Sequence, residues 1–151
     1  MENNKIEIKI EKISGCEDLP LPFSTSEFSS GVDLLSAEPS NTVLKPGKIK
    51  LVSTGIKIMI PEGYEGQIRP RSGLAIKHGI TVLNTPGTID SDYRGTVKVI
   101  LINLGEDDFT IQRGDRIAQL VIQKIFFPKF KLVETLDKTK RGEGGFGHSG
   151  I

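Results

Sequence analysis

The chain has 151 residues, 36% hydrophobic and 26% charged, with 20 Lys+Arg against 19 Asp+Glu and one cysteine. That length suits a single domain with a real core, while a formal charge of +1 leaves no basic face for coating a polyanion. Cys16 alone excludes an internal disulfide framework or a multi-cysteine zinc site, and 17 glycines with 8 prolines favour short strands and tight turns over long helices.

Met1 to Lys5 is polar and runs directly into an alternating segment, so no signal peptide is expected there. No uncharged apolar run approaches the roughly 20 residues of a membrane span. The expectation is a cytoplasmic protein, or a nuclear one in a eukaryotic or viral source. Lys5–Glu11 alternates with period two, with Ile6, Ile8 and Ile10 on one face and Glu7, Lys9 and Glu11 on the other, as in a half-buried strand. Ser30–Leu34 reads as a strand kinked at Gly31, and its Asp33, flanked by apolar residues, needs a partner. Gly55–Ile60 repeats the alternation and is stopped by Pro61 and Gly63.

Ser72–His78 is the one credible helix, with Ser72 as N-cap and Gly79 just past its C-terminus. Ile80–Leu83 is a strand candidate. Val97–Ile102 is nearly all apolar, as for a strand covered on both faces, and Ile117–Ile122 and Lys129–Val133 complete the set. Lys45-Pro-Gly47, Pro61-Glu-Gly63, Pro86-Gly87 and Arg113-Gly-Asp115 supply the turns, and the sum is an all-β sandwich or barrel. After Leu136 the composition shifts to Lys138, Lys140 and Arg141 and then to glycine at 142, 144, 145, 147 and 150. No core can be built from that, which predicts a domain over residues 1–136 and a flexible arm over 137–151.

Gly142-Glu-Gly144-Gly-Phe-Gly147 formally satisfies G-x-G-x-x-G, but a dinucleotide site needs a following helix and an acidic residue about 20 positions on, and only four residues follow. A glycine-rich arm still offers N–H groups to an anion. Pro70-Arg-Ser-Gly-Leu-Ala75 sets an arginine and a serine at a helix start, a phosphate-binding combination or merely a cap beside a solvated arginine. Asp90 and Asp92, at i and i+2 on an extended chain, would point to one side and position a water or a hydrated cation; an acidic turn is the plain alternative. Arg113-Gly-Asp115 reads as a turn feeding a strand, with Gln119 left as a polar residue in an apolar run. Walker A, H-E-x-x-H and G-x-S-x-G motifs are all missing, and two histidines, His78 and His148, are too few for a protein zinc site.

Ser30–Leu34, Pro70–Ala75, Gly87–Gly95, Arg113–Leu120 and Arg141–Gly150 occur in an order that resembles the five motifs of the homotrimeric dUTPase family. The resemblance spans about Gly31 to Gly150 and is most specific at Pro70–Ala75 and at Gly-x-Ile-Asp-x-Asp-Tyr-Arg-Gly. It implies a jelly-roll-like β-barrel subunit with one short helix, a homotrimer with sites shared between chains, and hydrolysis of dUTP to dUMP and pyrophosphate with Mg2+ held by the triphosphate. By the same resemblance Asp90 activates the water, Asn84 reads the uracil edge, Tyr93 sits against the deoxyribose, and Gly87 and Ile89 join the substrate site. Arg71, Ser72, Gly73 and Gln119 match phosphate-contacting positions, and Asp33 orients waters around the metal. Phe146 would stack on uracil as the arm closes, with Arg141, Gly147, His148 and Ser149 near the γ-phosphate.

Relatives often carry Ser-Thr where this chain has His148-Ser149, and alanine where it has Ser30; a histidine there still donates to phosphate. The nearest rival is dCTP deaminase, but those relatives keep a glutamate in the strand after the uracil-reading turn, and Thr96–Ile102 has none. A catalytically retired binding protein would show decay of the site, yet Asp90, Tyr93, Arg71 and Phe146 are all present.

Overall fold

The computed structural model describes residues 5–145. The strands are β1 (Lys9–Lys12), β2 (Gly31–Leu35), β3 (Thr42–Leu44), β4 (Ile49–Met59), β5 (Tyr64–Arg69), β6 (Ile80–Val82), β7 (Gly87–Ile89), β8 (Thr96–Asn103), β9 (Phe109–Ile111) and β10 (Arg116–Lys124), with α1 (Ser72–His78) between β5 and β6. They form two four-stranded sheets, β1-β4-β8-β6 and β2-β10-β5-β7, and a two-stranded β3-β9 ribbon. Every pairing is antiparallel. This is the expected all-β, jelly-roll-like architecture.

The core is branched aliphatic side chains projecting from both four-stranded sheets: Val52, Ile80, Val97, Val99 and Leu101 from one, Leu34, Ile117 and Ala118 from the other, with Ile111 of β9, all within 1% of full burial. At roughly 25 cal/mol per Å² of buried apolar surface, these side chains are the main source of stability. The N-terminal strand is shorter than its alternation suggests: Ile8 and Ile10 pack on the core, while Ile6 precedes β1 and is exposed. No helix of the described residues is long and apolar enough to cross a membrane.

Asn103, at the end of β8, is fully buried. Its Nδ2 donates to the carbonyls of Leu44 and Asp107, both at 2.8 Å, and its Oδ1 accepts from the Gly105 N–H at 2.8 Å. One amide thus ties β8 to β3 and shapes the turn leading to β9. Asn103→Leu would strand two carbonyls and an N–H, so we expect about 3 kcal/mol of destabilisation, readable as a drop of about 10 °C in Tm.

Arg113 anchors the Arg113-Gly-Asp115 turn. Its guanidinium grips both Asp18 carboxylate oxygens at 2.6 and 2.9 Å and also donates to the carbonyls of Gly15 and Ala37. The triplet is a turn whose arginine staples the N-terminal segment to the fold. Hydrogen bonding from Arg113 holds the Asp18 carboxyl below its usual 3.8. A lowered folded pKa contributes stability that is complete above the unfolded value and disappears as pH falls through the folded one. The Tm gap between wild type and Asp18→Asn should therefore be constant from pH 6 to 8 and close below about pH 4.

Three expectations are corrected. Arg71, with extended backbone, holds the N-cap position and no side chain caps the helix; Ser72 is the first helical residue, although Gly79 ends the helix in the left-handed region (φ 66°) as expected. Val97–Ile102 is fully covered on one face only: Val97, Val99 and Leu101 are buried, but Lys98 is exposed and Ile100 and Ile102 are only partly buried. Their register partners Leu51 and Ile49 on β4 are 52% and 56% exposed, so the outer face of this sheet is apolar and bare. Lys129–Val133 is not a strand. After the Ile125 N–H bonds the Gly63 carbonyl at 2.9 Å, the chain leaves the sheets, with Phe130 and Leu132 at 91% and 99% exposure. Alternation alone cannot make a strand when no edge is alongside to bond it.

Candidate active site

Two depressions, with no lining residue in common, collect the sequence candidates. The first forms at a corner where the chain changes sheets twice. β6 is an edge of one sheet and β7 of the other, so the segment that carries Asn84, Leu83–Pro86, is a crossing between sheets and contains a cis Thr85–Pro86 bond. Asp90–Gly95 crosses back into β8. The resulting cavity of about 380 Å³ is lined by Asn84, Gly87, Ile89, Asp90 and Tyr93 over buried Ile68, Val82 and Val97, and is walled by Leu51, Lys98 and Ile100 of the bare outer face. It has an apolar floor, a few convergent polar groups and the size of a small-molecule site.

Local bonds fix the return crossing. The Tyr93 N–H bonds the Asp90 carbonyl at 3.1 Å, and Arg94 donates to the carbonyls of Ser91 and Tyr93 at 2.7 and 2.8 Å. This turn brings one of the two carboxylates, Asp90, to the corner cavity. Asp90 and Asp92 both border a neighbouring depression with Ser91 and Arg94, but only Asp90 also lines the corner cavity. Tyr93 Oη donates to the Thr96 carbonyl at 3.1 Å, and its ring lies against Gly95, where an added Cβ would come within 2.6 Å of Cζ. Glycine at 95 is what allows the ring to lie flat there.

The second depression, about 350 Å³, is lined by Gly31, Asp33, Arg69, Arg71, Ser72, Gly73 and Gln119 together with Thr25, Ser29, Ser30 and Val121. Its geometry comes from sheet register. Gln119 of β10 sits opposite Asp33 on β2 and Arg69 on β5, so the three side chains share one face. Arg71 Nε pairs with Asp33 Oδ1 at 2.9 Å and Arg116 with Oδ2 at 3.5 Å, the partners the flanked carboxylate required. Arg69 is oriented by Gln67, whose Oε1 accepts at 2.6 and 3.1 Å. Three guanidiniums against one carboxylate leave a local excess of positive charge, an arrangement suited to a planar or tetrahedral oxyanion. The backbone N–H groups at the start of α1 have no partner within the helix and add to it.

Arg69, Arg116, Thr25 and Ser29 were not singled out from sequence. For Arg69 the signal available was register, since it stands opposite Gln119 once β5 and β10 are adjacent; Arg116 stands opposite Leu35, and Thr25 and Ser29 precede β2, so register does not mark them. Arg141 is exposed, donates locally to the Gly144 carbonyl at 2.7 Å, and lines neither depression. Phe146, Gly147, His148 and Ser149 lie outside the described residues. Among the described residues no group of three acidic, histidine or cysteine side chains is placed to hold a metal.

Residues 17–150 match the model of the dUTPase family. The chain is 56% identical to a deoxyuridine 5'-triphosphate nucleotidohydrolase of Thermoanaerobacter sp. strain X514, covering 95% of this chain and 97% of that one. It is also 56% identical to one of Ehrlichia canis strain Jake over the full length of both. Among solved structures, a mutant of the Staphylococcus bacteriophage 80alpha dUTPase with dUpNHpp superposes with a TM-score of 0.87 at 28% identity, covering 97% of this chain and 100% of the other. The dUTPase of S. aureus phage phi11, described with a structural Mg(II) ion, gives 0.78 at 26% identity over 88% of this chain and 100% of its own. The two depressions thus sit in a chain that belongs to the dUTPase family.

Proposed function

We propose that this protein hydrolyses dUTP to dUMP and pyrophosphate, holding the nucleoside in the corner cavity and the phosphate chain in the arginine-lined depression. The observation that carries this reading is the convergence of Asn84, Gly87, Ile89, Asp90 and Tyr93 on one cavity. Asn84 reads the uracil edge, so cytosine would leave buried polar groups unpaired, a discrimination worth up to ~10⁴-fold. Tyr93 lies against the deoxyribose and leaves no room for a ribose 2′-hydroxyl. Asp90, at the rim and in contact with solvent, takes a proton from a water. The water oxygen bonds to the α-phosphorus, the bond to the bridging oxygen breaks, and pyrophosphate leaves. Arg71, Ser72, Gly73 and Gln119 hold the phosphates in line and offset their charge. The arm, through Arg141, Phe146, Gly147, His148 and Ser149, closes over the bound nucleotide and excludes water.

The donor set fits Mg2+ in one way only. Both Asp33 oxygens face guanidiniums, and one paired carboxylate makes no cage. A magnesium ion carried by the triphosphate would keep its waters, one of which Asp33 has the lone pairs to accept. Bound there, the ion supplies charge neutralisation on the phosphate oxygens.

A homotrimer accounts for what one chain leaves unfinished. The nucleoside and phosphate depressions are separate, Ile49 and Leu51 stand about half-exposed on the outer face beside partly exposed Ile100 and Ile102, and Phe126, Phe130, Leu132 and Leu136 are at least 86% exposed. Packing between copies covers both apolar surfaces and brings one chain's cavity to another's arginines. In the cell, most simply in the cytoplasm, such an enzyme keeps uracil out of DNA and supplies dUMP for dTMP synthesis. Pyrophosphate release from dUTP, dCTP and UTP with Mg2+ tests the reading; turnover of dUTP at least 10³-fold faster than of the others is expected. Equal rates, or ammonia from dCTP, would sink it.

A further inference from the structure

Gly31 opens β2 and lies two residues from Asp33 on the same face, diagonally across from Gln119 of β10. The Gln119 side chain occupies the space a side chain at 31 would need. A Cβ there would overlap Gln119 Oε1 and stand 3.2 Å from its Cδ and 3.4 Å from its Cβ. The φ of Gly31 is outside the left-handed region, so what this position requires is room, not backbone freedom. Gly73, in the same depression, has nothing within 4 Å of an added Cβ, so crowding is particular to 31. From its place over Gly31, Gln119 Nε2 donates to the Pro70 carbonyl at 3.0 Å, the carbonyl directly before Arg71.

We propose that Gly31 is a positioning residue: by lacking a side chain it lets the Gln119 carboxamide bridge β10 to Pro70 and so set Arg71 and Ser72 at the rim of the depression. The bridge is economical. One amide hydrogen fixes the loop, and the other has no partner among the described residues and stays available to an anion. Arg71 is then held from two sides, its preceding carbonyl by Gln119 and its guanidinium by Asp33. An alanine methyl at 31 drives Gln119 to another rotamer, frees Pro70, and moves the phosphate-binding groups by a fraction of an ångström to an ångström. Misplacement on that scale costs up to about 100-fold in kcat/KM.

The inference rests on the reading that this depression holds the phosphate chain, and the test separates the two. With dUTP as substrate, Gly31→Ala and Gln119→Ala are each expected to lower kcat/KM by about 10- to 100-fold, chiefly through KM. The double variant should be no worse than Gln119→Ala, because the methyl then has nothing left to displace. Additive losses, or a Gly31→Ala enzyme equal to wild type, would overturn the proposal. Substrate-free NMR gives a second readout. The Gln119 side-chain amide proton bonded to Pro70 should exchange more slowly in wild type than in Gly31→Ala, while backbone amides along β10 keep their protection; an unchanged Gln119 amide overturns the proposal. Absence of dUTP turnover by wild type would refute the functional reading and leave the NMR result to decide the bridge. If Gly31→Ala alone does not fold, the double variant must fold and match Gln119→Ala, and its failure to do so overturns the proposal equally.

Discussion

Asp90→Asn is expected to lower kcat for pyrophosphate release from dUTP by about 10³-fold, within the range that general-base catalysis supplies. The reasons are geometric and chemical. Asp90 is the only carboxylate among the residues lining the corner cavity, and the crossing that carries it is held by the Tyr93 N–H and by Arg94. An amide of the same shape keeps those backbone bonds but cannot accept a proton from water. KM should stay level or fall, because removing a negative charge beside a triphosphate relieves repulsion. Asp92→Asn is the internal control. Asp92 shares the neighbouring depression with Asp90 but does not line the corner cavity, so its loss should change kcat by less than about threefold. A tenfold or smaller effect at Asp90, or an equal effect at both aspartates, would remove Asp90 from the role of base.

That contrast between two aspartates shows where the sequence was legible. Pattern located strands whose partners lie in the same chain: the alternation at Ile8 and Ile10 and in the second half of β4 faces the core as expected, and the apolar runs of β8 and β10 are both strands. The same rule failed at Lys129–Val133 and overstated the cover on Val97–Ile102, because a strand and a covered face both need a neighbour and one chain holds none there. Local turn geometry was out of reach too. Asp90 and Asp92 sit at an i, i+2 spacing that predicts a shared side, and both do border one depression; that only Asp90 also reaches the corner cavity depends on the turn held by the Tyr93 N–H. Ser72 looked like a cap, but Arg71 has the extended backbone of that position and its side chain is committed to Asp33. Arg69, Arg116 and the bridge over Gly31 depend on which strands are adjacent, which residue order along one strand does not contain.

Mixing two inactive variants should restore activity. Arg71→Ala removes a guanidinium from the phosphate depression and is expected to cost about 10²- to 10³-fold in kcat/KM, the loss of one or two charge-assisted hydrogen bonds to the substrate. Asp90→Asn is disabled in the other depression. If one chain's corner cavity works with a different chain's arginines, a site is intact whenever the first comes from the Arg71 variant and the second from the Asp90 variant. Random association of equal amounts makes that combination in about a quarter of sites, so co-expressed subunits should recover about 25% of wild-type turnover from parents near 1% or less. Sites completed within one chain predict no recovery at any mixing ratio, because every chain then carries a broken half. The recovery should also require the exposed apolar segment: with Phe130→Ser and Leu132→Ser in both parents, the sedimentation profile should shift to single chains and the restored activity should vanish. Loss of that segment without loss of assembly would place the contact between copies on the outer face of β4 and β8, where Ile49 and Leu51 stand half-exposed beside the cavity wall.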